Sequence, residues 1–256
     1  MVKRGVDLPY ENSAPQLLIG LTVQTSDWDD QCAGSEQRYH FRQGFPCYAD
    51  HTTGKGYVCG LGFCVFSCSS QGSNTYVAEE PVSIVIKLPE TESISVQAFA
   101  YHGISDADCL NAQDFSLALK PIIALLRQGA QICCHNLPHA TLVFCRELHK
   151  RTLMSSLTLS EDEARLFLNS LYLGHCTMAP PKESNRFFFS LTDAYQRCFG
   201  ELTAAGVAHA PGQNAYKCAR LFLHYNKAAV VTTSDADVET VDTKKAKLAV
   251  SHDVDT

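Results

Sequence analysis

The sequence has no long hydrophobic run. Its apolar stretches, such as Val82–Ile86 and Ile122–Leu126, fall far short of the roughly 20 residues a membrane span requires. No membrane segment is therefore expected. The first residues, Met1–Gln16, lack both an apolar leader core and an Arg-rich amphipathic pattern, which directs the expectation to the cytoplasm or nucleus. There is no internal repeat, and there is no excess of positive charge. The net charge is −6, so the molecule as a whole exerts no pull on phosphate, and contact with nucleic acid requires a local basic patch. Half of that deficit lies in the tail from Thr233 to Thr256, which holds −3. With 45% hydrophobic and 19% charged residues, the composition excludes a largely disordered chain, a collagen-like fibre and a coiled coil.

What is present is a chain of 256 residues, long enough to bury roughly 70–75% of its unfolded surface without disulfide or metal staples. The twelve cysteines lie mostly inside apolar runs, where a thiol behaves as a small hydrophobe. Without a leader they read as reduced core residues. Leu17–Gln24 (LLIGLTVQ) reads as a buried strand and Ser26–Gly56 as a long connection or insertion. Tyr57–Ser67 and Val82–Leu88 read as strands of a three-strand meander, with a turn at Ser69–Asn74. Phe115–Arg127 reads as a helix whose interior Pro121 should kink it or mark a late start. Ala130–Cys134 reads as a short strand.

Thr141–Arg151 follows a helical period, with Leu142, Cys145 and Leu148 facing in and Arg146, Glu147, His149 and Lys150 largely facing out. The SEDE run at Ser160–Glu163 is a capping box that opens a helix over Ala164–Tyr172. A short segment at His175–Met178 precedes helices over Leu191–Phe199 and Asn214–His224. Strands first, then helices interleaved with short strands, predict an α/β mixed sheet flanked by helices. The domain is expected over residues 16–228, with the insertion at about 28–56 and an acidic, disordered tail over 229–256.

Five segments in order then resemble one family. LLIGLTVQTSD (Leu17–Asp27), AYHGISDADCL (Ala100–Leu110), ICCHNLPHATLVFCREL (Ile132–Leu148), HCTM with SLTDAYQRCFG (His175–Met178, Ser190–Gly200) and HAPGQNAYKCARLFL (His209–Leu223) resemble the successive motifs of DnaQ-like 3′–5′ exonucleases of the histidine-variant DEDD type. The resemblance covers nearly the whole body and implies a ribonuclease H-like fold. It also implies four carboxylates holding two divalent metals that clamp the attacking and leaving oxygens of a phosphodiester, beside a histidine that activates water.

At the matching positions this chain carries Thr22, Gln24, Ala140 and Asn214. All four negative charges are missing, and only the matching histidine, His209, is retained. Neutral side chains compensate almost none of the charge of two magnesium ions. The expectation is therefore a pseudoenzyme without cofactor, serving as a protein- or RNA-binding scaffold subunit of a nucleic-acid-processing complex. The rival expectation is an active exonuclease with substitute ligands drawn from Asp27, His175, Asp193 and His209.

Several other groups compete for a role. Cys32, His40, Cys47 and His51 are zinc-competent, but their Cys-x7-His-x6-Cys-x3-His spacing lacks the tight knuckle of most zinc fingers, so no metal is expected there. Arg38, Tyr39, Phe41 and Arg42 in the insertion are interface candidates, because aromatic and arginine side chains anchor interfaces. Arg146, Lys150 and Arg151 on one helix and Lys217 and Arg220 on the last are candidates for contacting single-stranded nucleic acid or a partner, although cations near helix C-termini also complement the helix dipole alone.

Overall fold

The computed structural model describes residues 15–27, 41–42, 45–46, 56–70, 73–178, 190–200 and 210–232. The continuous apolar run at the start of the domain forms β1 (Leu17–Thr25), covered on both faces because Leu18 points to one side and Ile19 and Leu21 to the other. β2 (Phe41–Arg42) and β3 (Phe45–Pro46) form a separate two-residue ladder. The main sheet continues through β4 (Val58–Cys68), β5 (Thr75–Ala78), β6 (Val82–Val85), β7 (Gln131–Cys134), β8 (His175–Cys176) and β9 (Ala229–Thr232).

Its order is β8-β7-β1-β4-β5-β9, with β6 also paired to β4. β4 runs antiparallel to β1, whereas β7 and β8 run parallel to it in turn. The meander is thus present with a modification. Its third strand is broken in two, β5 pairing with the end of β4 and β6 with its beginning.

One face of the sheet carries α3 (Phe115–Arg127), α4 (Leu137–Leu153) and α5 (Glu161–Tyr172). They pack through Phe115, Phe144 and Phe167, with the latter two edge to face at 5.0 Å. The opposite face carries α7 (Pro211–Tyr225), with α6 (Leu191–Phe199) packed on its outer side. The expected capping box at Ser160 and Glu163 is present. Two short helices were not legible from the apolar period: α1 (Val96–His102), capped by Ser95 and ended by the left-handed Gly103, and α2 (Asp106–Leu110), opened by a Ser105–Asp108 capping box. Their signal was the capping residues, Ser-x-x-Asp and Gly.

Three expectations are corrected. α3 runs through Pro121 without a late start, because that residue lies on the exposed face and the Leu117 carbonyl its ring leaves without a donor is on the solvent side. α4 buries Arg146, Glu147 and Arg151 instead of turning them outward. The domain does not stop at residue 228, because Ala229–Thr232 adds the parallel edge strand β9 beside β5. The rest of the expected tail, from 233, and most of the insertion lie outside the described residues. Among the described residues no helix is long and apolar enough to cross a membrane.

Candidate functional site

Strand direction decides where the four family-matched positions meet. Thr22 and Gln24 are two residues apart near the carboxyl end of β1 and therefore share one face, the α7 face. β7 runs parallel to β1 with Gly20 opposite Cys133, so the chain leaves β7 beside the end of β1 and begins α4 there, with Ala140 buried in its first turn. α7 starts from the other side, and the Thr22 Oγ1 hydroxyl donates to the Pro211 carbonyl at 2.7 Å. Asn214 is buried in that same first turn. Gln24 is buried opposite Gly60 in the β1–β4 ladder. The starts of two helices thus converge on the carboxyl end of the central strand, the usual position of ligand sites in open α/β sheets.

Close approach of α7 requires the glycines of the strands beneath it. A Cβ on Gly62 would lie 2.0 Å from the Pro211 carbonyl carbon, and one on Gly20 would lie 2.0 Å from the Ala215 oxygen. These glycines, Gly20 in LLIGLTVQ and Gly62 in β4, were the sequence signal for a helix seated directly on the sheet.

Most amides at the start of α4, and the Gly212 amide of α7, are engaged within the protein. Leu137 N–H donates to Cys176 Sγ, Pro138 has no donor, and His139 N–H donates to the Asn136 side chain. Ala140 N–H donates to the Asn136 carbonyl. On α7, Pro211 lacks a donor and Gly212 N–H donates to Ser83 Oγ at 2.9 Å. Helix starts ordinarily attract anions through free amides, and here the Leu137, His139, Ala140 and Gly212 amides already have acceptors. The four matched side chains are one hydroxyl, two amides and a methyl group. They bring no negative charge, and the hydroxyl proton is directed at a carbonyl, so this donor set does not fit a pair of divalent cations.

The fold has counterparts among solved structures. The nuclease domain of 3′hExo, a DEDDh family member bound to rAMP, matches with a TM-score of 0.50 at 10% identity over 84% of this chain and 94% of that one. A full-length 3′-exonuclease matches with the same score and identity over 84% of this chain, spanning 62% of that chain's length. The fold is ribonuclease H-like. No family model matches the sequence, and no curated protein matches it either.

Among the described residues no three His, Cys, Asp or Glu side chains come together as metal ligands, and Asp27, His175 and Asp193 lie apart in separate surroundings. His175 stacks on Phe222 at 4.3 Å and bonds Gln131 at 2.7 Å. Phe222 is eleven residues along α7 from Pro211, about 16 Å at the helical rise. Asp193 is exposed and accepts from the Ser190 hydroxyl at the start of its own helix. Asp27, half-buried just after β1, accepts the Thr25 hydroxyl through its backbone carbonyl. His209 lies outside the described residues, as do Cys32, His40, Cys47, His51, Arg38 and Tyr39, and the side chains of Phe41 and Arg42.

Three of the five candidate contact cations are buried, and Lys150 and Arg220 are half-buried. Arg146, Arg151 and Lys217 are buried. Arg151 Nε donates to Glu147 Oε1 at 2.8 Å, and Lys150 Nζ donates to the Gly56 carbonyl while lying 4.2 Å over the Tyr57 ring. Arg220 donates to the Tyr195 hydroxyl and lies 4.2 Å over the Phe199 ring. Burial pushes the Lys217 ammonium below its usual range. A cation with a buried acceptor or an aromatic face beside it is held in the fold, and helical period alone does not reveal that partner. The core thiols match their expectation among the described residues. Cys133 and Cys134 are free and buried, and burial pushes both well above the ordinary thiol value.

His102, from the HGI segment, closes the edge of the site next to Gln24. Ile104 N–H donates to its Nδ1 at 3.0 Å, which leaves the proton on Nε2, 3.2 Å from the Thr25 carbonyl. Burial lowers its affinity for a second proton, and the Thr25 carbonyl opposes that only in part. The folded-state value lies below the unfolded one of about 6.5, so the neutral ring's contribution is complete above that pH and is lost as pH falls through the folded-state value. The stability difference between the native chain and His102→Gln, read from urea midpoints, is expected to be largest near about pH 8 and to shrink toward about pH 5. His175, also lowered by burial, titrates in both proteins and cancels. A difference that stays constant over this range would show that His102 does not titrate with folding.

Proposed function

We propose that this chain is a catalytically inactive exonuclease-like protein that serves as a binding or scaffolding subunit of a nucleic-acid-processing assembly in the cytoplasm or nucleus. One observation carries the reading. Where the family's first metal-binding carboxylate would stand, the Thr22 hydroxyl donates a hydrogen bond to the Pro211 carbonyl. A carboxylate has no proton to donate there and would face an acceptor. The engaged amides at the start of α4 support the same reading, because a phosphate entering there would have to displace protein acceptors. A protein partner is favoured over single-stranded nucleic acid, since Arg146, Arg151 and Lys217 are buried and Lys150 and Arg220 already have partners.

The test is degradation of labelled single-stranded RNA and DNA in the presence of Mg²⁺ or Mn²⁺, with binding read in the same tubes by fluorescence anisotropy at two salt concentrations. No cleavage above a mock-purified control is expected. Cleavage that persists through purification and disappears in His209→Ala would overturn the proposal. Salt-sensitive binding without cleavage would instead assign the cleft to holding strand ends.

A further inference from the structure

α1 is built the wrong way round for a helix that serves only its own core. It has seven residues and buries only Ala98, so it gains little from packing. Its position comes from the Ser95 cap, the left-handed Gly103, and the Ser95 N–H bond to the Ser26 carbonyl at 2.8 Å. Meanwhile Val96, Phe99 and Ala100, spaced i, i+3 and i+4, form one stripe and all face solvent, with Val96 85% and Phe99 47% exposed. Leu110, at the end of α2, is 71% exposed. Scattered apolar side chains on a surface are ordinary, but an aligned stripe of them marks a contact face.

The chain segment that carries this stripe has charge of one sign. Between Lys87 and Lys120 the sequence contains no lysine or arginine and five acids, Glu90, Glu92, Asp106, Asp108 and Asp114. Asp106 lies close to the stripe, because its Oδ1 accepts from Ile94 N–H, two residues before Val96, at 2.6 Å, and Glu90 and Glu92 precede Val96 by six and four residues. An acidic border repels phosphate and attracts cations. We propose that the α1–α2 face docks a basic protein segment that inserts apolar side chains between Val96 and Phe99. This rests on the scaffold reading and deepens it by giving the partner's chemistry.

The probe is a short fluorescein-labelled synthetic helix with one leucine face and one lysine face, compared with the same helix carrying glutamate for lysine and with a single-stranded RNA. The expected result is saturable binding of the lysine helix, weakened by added salt. Affinity should fall about tenfold or more in Val96→Ser/Phe99→Ser and in Glu90→Lys/Glu92→Lys. The first pair is exposed, so unchanged urea midpoints will show that these variants remain folded. Equal binding of both helices, indifference to the variants, no binding at all, or RNA competing for the same face would each overturn the docking proposal. Nuclease assays on the same proteins keep the two readings separate. Cleavage would sink the inactive-subunit reading whatever the helix does, and failure of the helix without cleavage would sink only this docking face.

Discussion

Gly62→Ala is expected to lower the stability of the folded chain by about 3 kcal/mol, the upper end of the usual cost of overpacking a rigid contact. The added Cβ would lie 2.0 Å from the Pro211 carbonyl carbon, 2.1 Å from its oxygen and 2.5 Å from Gly212 N. All three atoms are backbone, so no side chain can rotate away. Nor can α7 lift freely, because its first turn is also held by the Thr22 hydroxyl and by Ser83 Oγ. Relief of the clash would break one of these bonds and draw Asn214 away from the end of β1. Urea unfolding read by far-ultraviolet circular dichroism is the measurement. A loss below about 1 kcal/mol, within what a relaxed contact costs, would mean that α7 does not rest on β4 as described.

Glu147→Ala is expected to cost about 3–5 kcal/mol, the range for removing one partner of a buried ion pair. Glu147 and Arg151 are almost fully buried. Glu147 Oε2 accepts from Val58 N–H at 3.0 Å, its Oε1 accepts from Arg151 Nε, and the guanidinium also donates to the Lys87 carbonyl at 3.0 Å. Val58 N–H needs a side-chain acceptor because the β1–β4 register shifts at Gln24 and Thr25, just where β4 begins. Burial pushes the Glu147 carboxyl above its ordinary value, while Arg151 and the Val58 amide pull it back. Truncation would leave the buried guanidinium without its carboxylate, holding only the Lys87 carbonyl, and the buried Val58 amide without an acceptor. The paired substitution Glu147→Leu with Arg151→Met is expected to recover much of the loss, since it removes both charges together. If the single and paired variants unfold at the same urea concentration, the two groups are not coupled and the network does not hold the start of β4.

The same residues mark how far sequence reading reached. α3, α5 and α6 followed their apolar periods and caps, and β1 followed its unbroken apolar run, because those signals are local and each element buries the face its period displays. The residue types at the four matched positions, none of them acidic, were also legible, since they are a matter of residue identity. The roles of Arg146, Glu147 and Arg151 were not, because a helix read alone shows charged residues as its solvent face, and the Val58 amide that gives Glu147 a buried partner lies 89 positions away in the chain. α1 and α2 span only seven and five residues, too short for a period to stand out, and each buries a single residue. β9 escaped because four residues show little pattern until β5 offers them an edge. Sequence by itself determined the elements with strong local patterns and the missing negative charge at the matched positions. Only the tertiary structure decided which polar groups are satisfied: whether a hydroxyl, an amide or a guanidinium meets water or a protein acceptor depends on which distant strand or helix is packed against it.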